Sequence, residues 1–365
     1  MLLITLIFSG CSSSGTSLKD LSIVEGMGID LIDDDVVITV QTLNLSKEGY
    51  GAEALSGNIT MNTSGSGDCI MNAISQIKES LTKELFFGQN GLLVFGMEMA
   101  KECIDKNLDY ILRSADSRMD VSICISESKA ADILSSPEND ALVPAESISG
   151  LLKLGEESGF AADVSANELL NLYLDKTSDM FLPVVKAGER SASVSGIAIY
   201  SDTQLVKVLD SDATYGFLFL SDKISEGDLA VNSDSLGKIG MRIITSKSKT
   251  RASYEDGRVV LHADIKAEIM LDAVENGLTT TITNDYLNEI EALAEKQITA
   301  YCRAVFSDCT ENGSDSLRIG ESLAMFSPSA YAKLSDDWKS ALSTASLDIS
   351  VKCKLKKINE NSKGY

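Results

Sequence analysis

The chain has 365 residues, 44% of them hydrophobic, which is enough for ordinary cores and argues against disorder. Its formal net charge of -22 disfavours nucleic-acid binding, where Lys and Arg must neutralise phosphates, and also disfavours a body lying flat on anionic lipid. At ~100–200 residues per domain, the length predicts two or three domains.

The first element is a leader. An apolar start ends in Leu6-Ile7-Phe8-Ser9-Gly10-Cys11 and opens into the polar stretch Ser12-Ser13-Ser14-Gly15-Thr16-Ser17. Two small residues, an accessible thiol and a flexible spacer are what a lipoprotein signal peptide presents, so Cys11 is read as the lipid-attachment residue. Phe8 stands where a lipobox usually has Leu, and the basic n-region is missing. The bland alternative is a short strand ending in a buried thiol. No other stretch reaches the ~20 apolar residues needed to cross a bilayer, so the rest reads as an ectodomain.

From Leu18 the pattern is strand, turn and strand. Leu21–Ile29 leads into the acidic turn Asp33-Asp34-Asp35, and Val36, Ile38 and Val40 alternate with less apolar neighbours. After a Gly/Ser-rich connection, Asp68 is positioned to cap a helix whose Ile70, Ala73, Ile74, Ile77 and Leu81 recur at helical spacing. An apolar strand over 92–95, a helix over 100–112 and a strand with Met119, Val121, Ile123 and Ile125 on one face follow, then helices over 145–154 and 166–174. Pro183 and Gly188 predict a boundary between 181 and 191.

Beyond it, 193–200 and 204–209 read as a hairpin, with 217–220 and 241–245 as further strands. The clearest strand is 259–271: Leu261, Ala263, Ile265, Ala267 and Ile269 face a core, while His262, Asp264, Lys266 and Glu268 face solvent or an interface. A long helix over 284–306 precedes a final strand in which Leu347, Ile349, Val351, Cys353 and Leu355 alternate with polar residues. The fold class is therefore α+β, a multi-domain ectodomain of mixed and antiparallel sheets packed with helices. Residues 1–10 are the signal peptide, 11–18 a tether, 19–189 an N-terminal domain, 190–245 a β-rich middle domain and 246–365 a C-terminal α+β domain.

Several chemistries lack their residues. The lone His262 removes the usual base from most nucleophilic schemes and cannot complete a Cys/His zinc pattern, so it reads as a surface or interface side chain. Besides Cys11 there are Cys69, Cys103, Cys124, Cys302, Cys309 and Cys353. An even number permits disulfides, Cys302 and Cys309 being the nearest pair, whereas Cys353 reads as a buried thiol. Ser246-Lys247-Ser248-Lys249 contains an S-x-x-K, but the pattern recurs at 75–78 and 80–83 and its S-D-N companion is missing. Gly26-Met27-Gly28 runs into a second strand rather than a helix, unlike a dinucleotide loop. Asp33–Asp35 lacks the spacing and glycine of a calcium loop. Catalytic residues, cofactors and metals are thus expected to be absent; a glycosidase-like pair of acids stays open because nothing in the sequence selects one.

The pieces resemble the Ger(x)C family, the C-subunit lipoproteins of bacterial spore germinant receptors. The resemblance rests on Leu18-Lys19-Asp20-Leu21-Ser22-Ile23-Val24-Glu25-Gly26-Met27-Gly28-Ile29-Asp30, on Glu84-Leu85-Phe86-Phe87-Gly88-Gln89 with the strand after it, and on residues 108–118, Leu-Asp-Tyr-Ile-Leu-Arg-Ser-Ala-Asp-Ser-Arg. In the second half it rests on Gly196-Ile197-Ala198-Ile199-Tyr200 with Gln204-Leu205-Val206, on Ser246–Thr250, and on Ile319-Gly320-Glu321 followed by Trp338. Tyr331 stands near where members often carry another Trp. The resemblance implies three α+β domains, no catalytic activity, and a lipid-anchored subunit on the outer face of the spore inner membrane, beside polytopic A and B subunits of a nutrient receptor. By matching motifs it makes Arg113, Arg118 and Lys249 interface candidates; internal ion pairs or solvated residues are the competing reading. A second functional reading is a solute-binding lipoprotein of a transporter, which would need a ligand cleft between lobes.

Overall fold

The computed structural model describes residues 17–43, 59–113, 118–137, 142–275 and 283–356. The leader, Cys11 and most of the tether lie outside these. β1 (Leu21–Ile32) and β2 (Asp35–Leu43) pair antiparallel around Asp33 and Asp34, whose φ values of 50 and 70 suit a two-residue type I′ loop. The Gly/Ser-rich connection holds β3 (Thr60–Gly67), antiparallel to β2. Its glycines look like loop residues but serve close packing: a Cβ on Gly65 would lie 2.5 Å from the Ala73 carbonyl oxygen of α1 (Ile70–Ser80). Asp68 does not cap that helix. Cys69 is its N-cap residue, and Asp68 accepts from Asn72 instead.

Next come β4 (Glu84–Phe86), β5 (Leu92–Phe95) and the expected helix, broken at Cys103 into α2 (Met97–Glu102) and α3 (Ile104–Arg113). β6 (Ser122–Ser126), α4 (Ala130–Leu134), α5 (Pro144–Glu157), β7 (Val164–Ser165) and α6 (Ala166–Leu174) follow, then β8 (Phe181–Lys186), β9 (Ser193–Ser201) and β10 (Gln204–Leu209). These strands form one ten-stranded mixed sheet with the main order β10-β9-β8-β6-β5-β1-β2-β3. Pro183 therefore sits inside a strand, in register with Ile197, and the 193–209 hairpin extends the first sheet across residue 190.

The segment 217–220, read above as a strand, is the end of helix α7 (Ser211–Leu220). Asp210 caps it by accepting the Ala213 amide at 2.9 Å, and the run Phe217–Leu220 is apolar on every side because every side is buried. A short apolar run carries no periodicity, so sequence could not separate helix from strand here. β11 (Gly227–Ser233), β12 (Gly237–Glu255), β13 (Arg258–Val274), α8 (Asn284–Glu311), α9 (Ile319–Phe326), α10 (Pro328–Leu334), α11 (Trp338–Ser343) and β14 (Ser346–Leu355) complete the chain. The second sheet runs β11-β12-β13-β14, antiparallel except for the parallel β13–β14 pair.

Helices α7 and α8 join the two sheets into a continuous apolar core that includes Phe181, Phe217, Ile298, Cys302 and Ile265. Gly216 permits the contact, since a Cβ there would meet the Tyr301 carbonyl oxygen at 2.1 Å. β14 would leave an open edge, but Glu295 accepts the Cys353 amide at 3.0 Å and Glu291 the Leu355 amide at 2.8 Å. All six cysteines among the described residues are free. Cys302 and Cys309 lie on one helix, and seven residues at ~1.5 Å rise separate them beyond the ~7 Å Cα limit of a disulfide. Cys353 is buried as expected, and burial pushes its thiol up to about 12.

Candidate functional site

Motif residues gather at three places. In the first, β1 carries Gly26, Gly28 and Asp30 against helices α4 and α5: a Cβ on Gly26 would be 2.6 Å from Ala145 Cβ, and one on Gly28 2.9 Å from Ala130 Cβ. Asp30 accepts the Ala130 amide at 2.7 Å and the Ala131 amide at 3.2 Å, where the start of α4 leaves unpaired donors. Burial raises its pKa and these two amides draw it back. The glycines and the carboxylate thus dock a helix onto a strand, and no nucleotide cradle results.

The second place is the joint between the halves. Asp315, wholly buried in the turn between α8 and α9, accepts the Ile319 and Gly320 amides at 2.7 Å each and the Trp338 indole N–H at 3.0 Å. Its own amide donates to Asp179 at 2.7 Å, and Asp179 also accepts the Asp202 amide at the turn between β9 and β10. Burial raises both carboxyls, Asp315 to about 8, against the pull of these donors. Gly320 is required because a Cβ would sit 2.6 Å from the Thr177 carbonyl oxygen. A cleft of about 630 Å³ lies beside the joint, lined by Asp175, Asp202, Trp338 and Lys339 among others. The carboxylates of buried Asp315 and half-buried Asp179 are occupied by protein N–H groups, which makes the place a staple.

The third place is the polar face of β12, β13 and β14. Here Ser253 Oγ lies 2.9 Å from His262 Nε2, and His262 Nδ1 lies 3.0 Å from Asp348 Oδ2, the spacing of a Ser-His-Asp triad. Glu255 changes its chemistry: it takes the Ser253 hydroxyl at 2.6 Å and stands 3.0 Å from His262 Nε2. Partial desolvation lowers the imidazole pKa, but bonding to Asp348 and Glu255 outweighs it and leaves the pKa raised. The two carboxylates favour the protonated imidazole, a form that has no lone pair with which to activate a hydroxyl. Alongside run Lys247, Lys249 and Arg251 of β12, with Lys266 of β13 and Lys352 of β14. No group of three or more His, Cys, Asp or Glu among the described residues is arranged to hold a metal ion.

Residues 14–187 match the spore germination protein N-terminal domain, and residues 195–359 match the spore germination B3/GerAC-like C-terminal domain. The chain belongs to the Ger(x)C spore germination family. Among relatives from Bacillus subtilis (strain 168), spore germination protein B3 is 21% identical over 92% of this chain and 91% of its own length. Spore germination protein KC is 21% identical over 93% and 89% respectively. The crystal structure of the GerBC protein superposes with a TM-score of 0.61 at 16% identity, covering 91% of this chain and 97% of that one, so the multi-domain α+β fold is shared. Membership carries a role in spore germination, and the family is not known as catalytic.

Against that family background the sequence candidates fall in different places. Cys11 is outside the described residues. Arg113 ends α3, with its side chain and residues 114–117 also outside them. Arg118 is exposed and makes a two-bonded pair with Asp120 at 2.9 and 2.6 Å, a local contact. Lys249 is exposed on β12 in register with Asp264. Arg118 thus precedes β6 of the first sheet, whereas Lys249 lies on β12 of the second. Sequence reasoning missed Asp179 and Asp315, since nothing local marks an acid that pairs across more than a hundred residues. The Ile319-Gly320-Glu321 and Trp338 motif was the signal pointing there.

Proposed function

We propose that this chain is the non-catalytic C subunit of a nutrient germinant receptor, tethered by a lipid on Cys11 to the outer face of the spore inner membrane and acting beside polytopic A and B subunits. The observation that carries this reading is the ordered match of both family segments, 14–187 and 195–359, to this one chain. The three motif sites favour it as well: two are packing joints, and the third presents a charged, open sheet face suited to contact. No helix among the described residues is long and apolar enough to cross a membrane, so a covalent anchor would supply attachment. Two acyl chains hold a body stably at a bilayer, and tethering raises its effective concentration toward integral partners. Residues 1–10 serve as the signal peptide and 11–18 as the tether, with Arg113, Arg118 and Lys249 as contact charges.

The test is affinity purification of the tagged chain from spore membranes, with and without Cys11→Ala, combined with mass spectrometry of residue 11. Acylated Cys11 and copurifying polytopic proteins are expected, both from the membrane fraction. An unmodified Cys11 removes the anchor, and the absence of polytopic companions removes the receptor assignment.

A further inference from the structure

We propose that the exposed face of β12, β13 and β14 docks onto an anionic phospholipid bilayer. Lys247 is the register partner of Lys266, and Lys266 is the partner of Lys352, so three lysines stand in one row across adjacent strands. Strands are ~4.8 Å apart, and like charges directly opposite one another weaken a sheet. Among the described residues only Lys247 of the three has an ion-pair partner, Asp222 at the strand edge. The row therefore disfavours the fold locally, and an anion outside the chain would relieve it.

The rest of the face points the same way. Lys249, Arg251 and Lys354 share it, so these six basic side chains stand there with four acidic ones, Glu255, Asp264, Glu268 and Asp348, of which Glu255 is held by Ser253 and His262. Glu268 is engaged by Lys356 at 2.6 Å and Asp348 by His262. The net charge of -22 does not oppose this, because charges more than ~8 Å from the contact are screened at physiological salt.

Two features favour a bilayer over an acidic polypeptide. Strand register keeps the basic row on an extended sheet surface, matching a planar array of phosphates. The guanidinium of Arg251 lies 4.6 Å from the Phe326 ring centroid, and Phe326 and Met325 at the end of α9 are 46% and 66% exposed. An exposed aromatic ring against one of the basic side chains, Arg251, suits the headgroup boundary.

The test uses the full chain carrying Cys11→Ala, sedimented with vesicles of phosphatidylcholine alone or mixed with phosphatidylglycerol. Retention by the anionic vesicles only, lost at high salt and weakened about tenfold or more in Lys266→Gln/Lys352→Gln, is expected. Lys266→Gln is expected to unfold at the same temperature as the parent or higher, since it removes repulsion. If the double variant misfolds, Lys249→Gln/Lys352→Gln is read instead. Equal retention by neutral vesicles, no retention, or unchanged retention in the folded variant overturns the proposal. Binding to polyglutamate but not to vesicles also overturns it and assigns the face to an acidic protein. The assay contains no receptor partner and no acyl chain, so its failure is distinct from failure of the receptor reading.

Discussion

Asp315 accepts the indole N–H of Trp338 at 3.0 Å while holding the first amides of α9, and its own amide reaches Asp179 in the other half of the chain. Asp315→Ala would leave two helix amides and an indole without an acceptor in a buried site, a loss of about 3 kcal/mol or more. Trp338→Phe removes one donor only and is expected to cost about 1 kcal/mol. Urea denaturation followed by Trp338 fluorescence, or by circular dichroism for the Phe variant, reads both. A change below the error of the midpoint in Asp315→Ala would show that this joint does not hold the halves.

Gly216 and Gly150 make a matched pair of glycines in helices. A Cβ at Gly216 meets the Tyr301 carbonyl oxygen, so Gly216→Ala should separate α7 from α8 and cost about 1–3 kcal/mol. Nothing lies within 4 Å of a Cβ at Gly150 in α5, so Gly150→Ala should stabilise by about 0.5–1 kcal/mol through helix propensity alone. Thermal melts of both variants should move in opposite directions.

His262 makes stability depend on pH with a definite sign. Its folded pKa is raised, so its contribution is complete below the unfolded value near 6.5 and is lost as pH rises through the folded value. His262→Asn should flatten the stability profile across that window and leave the acid side lower than in the parent. Unchanged profiles in the two proteins would mean that Asp348 and Glu255 do not hold the imidazole in solution.

The thiols should divide by burial. Cys69 is exposed, whereas Cys124, Cys302 and Cys309 are buried and burial pushes their thiols upward. A thiol-specific reagent should label Cys69 at once and those three only on unfolding. Rapid native labelling of Cys302 or Cys309 would show that α8 is not packed as described.

Much of the fold could be read from residue order because period carries it. The alternation in 259–271 and 347–355, the helical spacing from Ile70 to Ile77 and the long α8 all appear where expected. Two segments misled in opposite ways. The glycines of β3 look like a loop because their reason, the approach of α1, comes from elsewhere; Phe217–Leu220 looks like a strand because burial on all sides erases the helical period.

The same division applies to function. Family motifs in order along the chain determined membership, and the leader made Cys11 the candidate anchor, because both are properties of neighbours in sequence. Tertiary structure alone decided that the Gly26-x-Gly28-x-Asp30 motif docks helices, that Asp179 and Asp315 staple two halves, and that lysines of three adjacent strands share a row. Each of these depends on how segments pair or pack in space, which no run of neighbouring residues encodes. Composition averages over such placement, so a net charge of -22 conceals a basic face.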